Sequence, residues 1–505
     1  MKRNHRLTVF SLVSTMAFCL VTGSLAFANS NSNVSKDGKW VAGDFHNHTY
    51  LTDGSKTEAD VLNHAFTQYG LDWFTNSEHG GAFSRDANGS QFTMDTPNAL
   101  LSTDSKYYLW RWATLKDYSY PIIQAARKQY NDKILLQGLE WNVPTHEHAS
   151  VGIAADEPTA ISKFEYIFDQ NDKDTSRASE GLTKDNTTAQ SAVDGAKWLE
   201  DNYPDSSYFV LAHPSRQQKY SIADIRDFNN AAPDVAFGFE GLPGHQKEAN
   251  RGGFGNNFGS NTYKARTYGG ADYMIAKVGG LWDALLGEGR HFWNFVNSDF
   301  HNEAGDFWPG EYCKTYSLLK GDDPKSVVAS LRSGNSFAVH GDLINALDFS
   351  ISSKNNVAVM GQDLEVEKGD NAQITIRFKS PEVNNNGDKP VVSHIDLIAG
   401  DVTGKAQPGT DEYTKDTNES SKVIASFDSK SWKKDNGWNV IVYNLKNVEK
   451  NQYFRLRGTN LAPNTLNETD AEGNPLVDSL MGDNNENKAY ADLWFYSNPI
   501  FIQSK

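Results

Sequence analysis

The chain is nearly without cysteine, with two in 505 residues, Cys19 and Cys313. That scarcity excludes a disulfide scaffold and a Cys-rich zinc module. Basic residues are also short: 48 stand against 64 acidic ones, for a formal net charge of −16. Non-specific nucleic-acid binding needs a positive field, so it is not expected. No Gly-x-x-x-x-Gly-Lys-Ser/Thr loop occurs, which excludes P-loop nucleotide chemistry. No Gly-x-Ser-x-Gly elbow occurs either, so a serine hydrolase of that build is excluded. No repeat of fixed period is found, and beyond the N-terminus no segment is apolar and long enough to span a bilayer.

What is present suits a folded protein of two or three domains. Charged residues make up 22% and aromatics 12%, unlike a disordered or fibrous chain. The histidines are unevenly placed. Apart from His5 and His394, all lie between His46 and His340, so imidazole chemistry is expected there.

The N-terminus has the pattern of a secretory signal peptide. Lys2, Arg3 and Arg6 precede an apolar stretch from Leu7 to about Leu25, and Ala26-Phe27-Ala28 offers small residues for cleavage. A membrane anchor is the weaker reading, because the stretch is short and holds Ser11, Ser14, Thr15 and Thr22. Cleavage after Ala28 would leave Cys313 as the only cysteine, with no intramolecular disulfide. A secreted protein without a membrane span is expected.

Residues 29–39 read as a polar linker. From Trp40 to about His340, short apolar runs alternate with helical periods, which suggests an α/β barrel or a doubly wound sheet. The spacing of Val61, Leu62, Ala65, Phe66 and Tyr69 predicts a helix over 58–69, ended by Gly70. Helices are also predicted over 192–202 and 324–333. The stretches 171–190 and 251–268 are polar and read as loops. Beyond Gly341, alternating strands such as 348–352, 374–378 and 440–443 appear, with Asn386-Gly387 and Asn436-Gly437 as turn signals. This predicts a β-sandwich over 341–505.

Metal-ligand types follow the apolar runs in order. The runs lead into His46-Asn47-His48, Ser77-Glu78-His79, Gly138-Leu139-Glu140, His213-Pro214, Glu240 with His245, and Ser298-Asp299-Phe300-His301. In an α/β barrel, such strand ends meet at one mouth. His46 and His48 share one face of an extended strand and can hold one ion, and Asp299 and His301 repeat that spacing. Mixed imidazoles and carboxylates suit two or three divalent ions of the Zn, Mn or Fe type rather than Mg or Ca. A lone His-x-His is weak evidence, and His64, His291, His340 and His394 read as structural. Trp432, Trp438 and Trp494 read as core packing in preference to a sugar platform.

These motifs, together with Thr52-Asp53-Gly54 and Ala212-His213-Pro214, resemble the PHP (polymerase and histidinol phosphatase) family over roughly residues 40–340. The resemblance implies a distorted seven-stranded (β/α) barrel with phosphoesterase chemistry. It implies that His46, His48, Glu140 and Asp299 hold one ion, and that Glu140 bridges to a second held by His148 and His213. Asp53, His79 and His301 would hold a third. Two points depart from the family pattern. Its usual Thr-Asp-His reads Ser77-Glu78-His79, and both His146 and His148 are eligible after Glu140. His148 is preferred because an apolar run follows it.

The expected function is an exported hydrolase of small or polymeric phosphate esters, with Glu140, His213, Arg216 and His301 as the catalytic candidates. Arg216 is placed to grip a phosphate oxygen through its planar fork. Asp44, His146, Glu240 and His245 are expected behind the ligands or facing substrate. A hydrolase of carboxylic or carbamate esters and amides is the alternative, followed by a non-catalytic metal-binding protein. An acidic stretch at 483–487 could bind calcium, though a solvated loop is the better reading.

Overall fold

In a computed structural model of the protein, residues 38–248, 251–252, 263–478 and 486–505 are described. The signal-peptide stretch, most of the linker, the middle of the 251–268 loop and residues 483–485 lie outside them. No described helix is long and apolar enough to cross a membrane.

The protein is mixed α/β, with one large sheet at its centre. Nine of its strands position the site: β1 (Lys39–Asp44), β2 (Trp73–Asn76), β3 (Ile134–Asn142), β4 (His148–Ile153), β5 (Ser207–Leu211), β6 (Ala236–Leu242), β7 (Trp293–Val296), β8 (Cys313–Leu319) and β9 (Ser336–His340). Their order across the sheet is β7-β6-β5-β4-β3-β2-β1-β8-β9. Strands β2, β5, β6 and β7 are buried along their whole length, so they read as unbroken apolar runs instead of alternating ones.

Strand direction brings the ligand types together. The pairs β1–β2, β2–β3, β5–β6 and β6–β7 are parallel. Strand β4 is antiparallel to both β3 and β5. Six strands therefore point the same way and end on one rim. The reversed β4 begins on that rim, which is where its first residue, His148, stands.

Among the described residues the sheet does not close into a barrel, which corrects the expectation of a (β/α) barrel. Strand β4 turns straight back from β3 through 143–147, with no crossover helix between them. On the other flank β8 runs antiparallel to β1. Strands β7 and β1 meet only beyond their ends, where Asn47 bridges Phe300. Asp299 N–H donates to His46 O at 2.8 Å and His48 N–H to Phe300 O at 2.8 Å.

The predicted helices form with local differences. Thr57 and Asp60 make a reciprocal cap at the first. The α-helix covers only Glu58–Leu62 and widens into a π-helical turn over Asn63–Gln68. Tyr69 N–H donates to His64 O, five residues back, and Val61, Leu62, Ala65 and Phe66 remain buried. The other two helices span Ala189–Asn202 and Pro324–Arg332.

Past residue 341 the strands are mostly antiparallel. One group extends the central sheet: β9 pairs with Trp494–Ser497, followed by Gln452–Thr459, His394–Asp401 and Lys422–Asp428. A second, five-stranded sheet is built around Ala346–Ser353 and Ala372–Lys379. Its Ala346–Ser353 strand alternates buried and half-buried positions, as expected for a sheet with one packed face. Asn436 and Gly437 join two of its strands with φ of 47° and 83°, which suits a two-residue hairpin turn. Trp494 is fully buried, Trp432 packs edge-on against Phe378, and Trp438 lies beneath Arg377 and Lys379.

Candidate metal centre

Glu140, on β3, is the hub. Its carboxylate lies 3.1 Å from His46 Nε2, 3.3 Å from His48 Nε2 and 2.6 Å from His79 Nδ1. His148 Nδ1 is at 2.7 Å and His213 Nε2 at 3.0 Å. Two oxygens thus face five imidazoles. A neutral imidazole has only one N–H, so simple pairing cannot satisfy so many rings on one carboxylate. Cations shared among these atoms would do so.

The side chains fall into overlapping groups. His46, His48, Glu140 and Asp299 form the first, with Asp299 Oδ1 3.1 Å from His46 Nε2 and 3.2 Å from His48 Nε2. Glu140, His148 and His213 form the second. Asp53, His79 and His301 form the third, at 3.3 and 3.4 Å between the Asp53 oxygens and the two Nε2 atoms. His48 joins this third group through Nδ1, 3.9 Å from Asp53. Donor atoms within 4.8 Å of one another, as one ion needs, are offered by His48, Asp53, His79 and His301, by His46, His48 and Glu140, by His46, His213 and Asp299, by His79, Glu140 and His148, and by Glu147, His148 and His213. The buried His46 Nε2, His48 Nδ1, Glu140 Oε2 and His213 Nδ1 have no hydrogen-bond partner. Unpartnered nitrogens and a carboxylate oxygen converging in this way fit divalent metals with mixed N/O preference.

The electrostatics agree with that fit. Burial opposes charge on His46, yet Asp299, Glu240 and Glu140 hold its pKa well above the ordinary value. Burial likewise opposes charge on Glu140, but the imidazoles of His148, His79 and His46 keep it well below the usual carboxylate range. His79 is pushed up to about 10, chiefly by Glu140 and against burial. The site is thus strongly negative and stabilises any cation placed in it, proton or metal. His213 differs: burial and the nearby Arg216 charge push it down to about 3, leaving a neutral ring.

A set of polar groups holds these side chains in place. Glu240 accepts from His46 Nδ1 at 2.9 Å, so Nε2 faces Glu140. Glu240 in turn accepts from Ser150 Oγ at 2.9 Å and Asn297 Nδ2 at 3.1 Å. A carboxylate behind a ligating imidazole fixes its tautomer and orientation. Asp44 faces the backbone. It accepts from His46 N–H at 3.0 Å and Ser298 N–H at 2.7 Å, tying the ends of β1 and β7 together. Its pKa is raised to about 6 by burial, against these hydrogen bonds.

Glu78 gives the Ser-Glu-His variant a structural role. Its carboxylate accepts from the hydroxyls of Thr49 and Thr52, anchoring the loop that carries Asp53 to the end of β2. Gly54 follows Asp53 in that loop, and a Cβ there would stand 2.4 Å from His48 O. His245 donates toward Asp299 Oδ2 at 2.8 Å, and Asp306 holds its other ring nitrogen. Asp306 also accepts from His301 N–H at 2.7 Å and Asn302 N–H at 2.9 Å.

Two candidates sit differently from expectation. His146 turns away from Glu140. Its Nδ1 meets Pro144 O at 2.7 Å, its Nε2 lies 3.4 Å from Asp224, and its ring stacks on Tyr220. The fork expected to grip phosphate, that of Arg216, is engaged by Glu147, with Nη2 3.4 Å from His148 Nδ1. Glu147, Asp306, Ser150 and Asn297 escaped the sequence reading. Glu147 directly precedes His148 and Asp306 follows His301 by five positions, so proximity to a ligand motif was the available signal.

Of the remaining histidines, His64 stacks on Trp308 with centroids 3.6 Å apart, and His291 is half-exposed near Asp363. His340 is buried against Tyr312, and His394 meets Leu461 O at 3.0 Å.

No protein-family model and no curated protein matches the chain. A solved structure similar to it is a two-domain protein containing a predicted PHP-like metal-dependent phosphoesterase, from Bacteroides vulgatus. The similarity covers 88% of this chain and 94% of that one, at 10% sequence identity and a TM-score of 0.35. A score that low establishes neither fold nor family.

Proposed function

We propose that this chain is an exported, PHP-like metal-dependent hydrolase of phosphate esters, with two or three divalent ions of the Mn, Zn or Fe type. The observation that carries the proposal is the Glu140 carboxylate facing five imidazoles, with Asp53, Asp299 and His301 beside them. Export rests on the N-terminal pattern of Lys2, Arg3 and Arg6, apolar stretch and Ala26-Phe27-Ala28. We assign the metal-bearing part to 40–340 and the β part to 341–505.

Divalent ions at such a centre lower the pKa of water to about 7 and stabilise the charge of a phosphate in flight. The protein supplies placement and access. His46, His48 and Glu140 are fully buried and form the floor. Asp53 is half-exposed, while His79, His148, His245 and His301 are each 15–20% exposed, so substrate enters from their side. Glu240 fixes the His46 ring and Asp306 fixes the His245 ring, which keeps the floor and one wall rigid as substrate arrives. Glu147 orients Arg216 beside His148, close enough for its charge to meet a phosphate oxygen that displaces part of that pairing.

The test is metal analysis of purified protein with an assay panel of phosphomonoesters, phosphodiesters, aryl carboxylates and aryl carbamates. Phosphate or alcohol release that is lost in His46→Ala and His48→Ala, along with bound metal, supports the proposal. Hydrolysis confined to carboxylates or carbamates would move the reaction to carbon centres. No hydrolysis at all, with metal content unchanged in both variants, would overturn it.

A further inference from the structure

Asp53, His79 and His301 are held differently from the ligands that stand on strands. All three lie in loops beyond the strand ends, and the Asp53 side chain is half-exposed. Its own packing cannot fix it, so the backbone around it must.

One loop, residues 49–56, ties the three together. Ser55 donates to His301 O from both its N–H, at 2.8 Å, and its hydroxyl, at 3.0 Å. Arg111 is fully buried and donates from Nε to His79 O at 2.8 Å and from Nη2 to Leu51 O at 2.6 Å. The carbonyls of the residues on either side of Asp53 are taken by Arg85. Its Nη2 donates to Thr52 O and, at 3.0 Å, to Gly54 O. That nitrogen carries two hydrogens, one for each carbonyl.

Arg85 is itself anchored. It precedes a tight turn in which Asp86 N–H donates to Ser90 O at 2.9 Å and Gly89 N–H to Asp86 O at 3.0 Å. The Tyr50 ring lies 5.5 Å from its guanidinium carbon. Gly89, at a φ of 82°, packs so close to that ring that a Cβ would stand 3.0 Å from it.

Charge and geometry make opposite demands at Arg85. A cation beside a set of metal ligands repels the ion. A group that fixes the backbone of a ligand favours the ion, because outer contacts orient the donors. The sign of the effect on metal affinity therefore tells the two apart.

We propose that Arg85 is a positioning residue for the third ion: its bonds to Thr52 O and Gly54 O hold Asp53 against His79 and His301. The inference rests on the metal centre proposed above and assigns Arg85 no contact with substrate.

The test is metal counting and chelator competition on Mn²⁺-loaded, full-length wild type, Asp53→Asn, Arg85→Gln and Arg85→Lys. Asp53→Asn is expected to lose one ion per chain. Arg85→Gln should weaken the same ion about 10–100-fold, although it removes a repelling charge, and leave the other ions at wild-type affinity. Arg85→Lys keeps the charge without the planar fork and should recover part of the loss. Arg85 is only partly buried, and Arg85→Lys gives the intermediate reading if Arg85→Gln does not fold. An ion that is unchanged or tightened in Arg85→Gln would overturn the proposal while the metal centre stands. Equal weakening of every ion would mark a general structural effect and also overturn it. A wild type that holds no Mn²⁺, or an Asp53→Asn that loses none, would overturn the metal reading of this group and the role of Arg85 with it.

Discussion

The regions before and after residue 341 share one continuous sheet but bury charge in different proportions. The buried guanidinium groups carried past 341 each meet one carboxylate, one of them across the boundary between the two regions. Arg455 reaches Asp283 through Nε and Nη2, both at 2.8 Å, and Arg457 reaches Asp396 at 2.7 Å. Before 341, one carboxylate meets five imidazoles. A one-to-one pair balances its own charge and can serve as structure. The Glu140 cluster, with Asp53 and Asp299 on the same rings, instead brings carboxylate oxygens and imidazole nitrogens to face one another, an arrangement that cations from outside would stabilise. Buried polarity is therefore not itself a sign of function; metal-ligand atoms that converge on one another are.

The comparison is broken most severely by deleting residues 345–505. The deletion removes Arg455, leaving Asp283 buried without its partner, and it bares the edge of β9 that pairs with Trp494–Ser497. The truncated chain is expected not to fold, and circular dichroism would show the loss of native structure. A folded, metal-loaded truncation would mean that the two regions are separable.

The next largest effect is expected from Glu140→Gln. Removing the charge the imidazoles share should cut turnover by roughly 10²–10³-fold, the scale of losing a key electrostatic contact. Metal content should fall with it. Metal analysis and turnover on the same sample would check both.

Glu58 sharpens the contrast, as a buried acid that belongs to neither class. Burial, reinforced by the nearby Glu78 charge, raises its pKa from 4.5 to about 8, against a hydrogen bond from Asn76. Because the folded-state value is raised, its stabilising effect is complete below about pH 4.5 and is lost as pH rises through 8. Glu58→Gln should match the wild type at pH 4.5 and become more stable by about 2 kcal/mol at pH 6, with the gap widening toward pH 8. Urea unfolding at those three pH values would measure it, and a constant difference would refute it.

His245→Gln is expected to have the smallest effect. It breaks the chain from Asp306 through His245 to Asp299 while leaving the ligands in place. Metal affinity should weaken about 10–100-fold, as for other groups that orient ligands. Competition with a chelator would read this directly, and Asp306→Asn should reproduce part of it.

Much of the candidate site was legible because ligand types follow apolar runs, and such runs end at a common rim when strands are parallel. His46, His48, His79, Glu140, His213, Asp299 and His301 all stood in that pattern. The open sheet was legible only as the alternative to a barrel, and the doubling-back of β4 was not legible. Whether β4 crosses over or doubles back depends on 143–147, where Thr145 takes a φ of 64° that its residue type does not announce. The extension of the sheet past 341 depends on pairing Phe337 with Ser497, which no local pattern encodes. Arg216 was read as an open cation because its partner, Glu147, lies 69 residues away in sequence.

The bridge between Asn47 and Phe300 bears on the timing of assembly. It joins segments whose ligands, His48 and Asp299, lie 251 residues apart. Contacts this distant in sequence form late in folding, because the chain between them must first be ordered. A metal ion cannot find its complete ligand set on a partly made chain. Metal uptake should therefore lag behind the formation of secondary structure, and a bound ion would certify that the first and last strands of the centre have met.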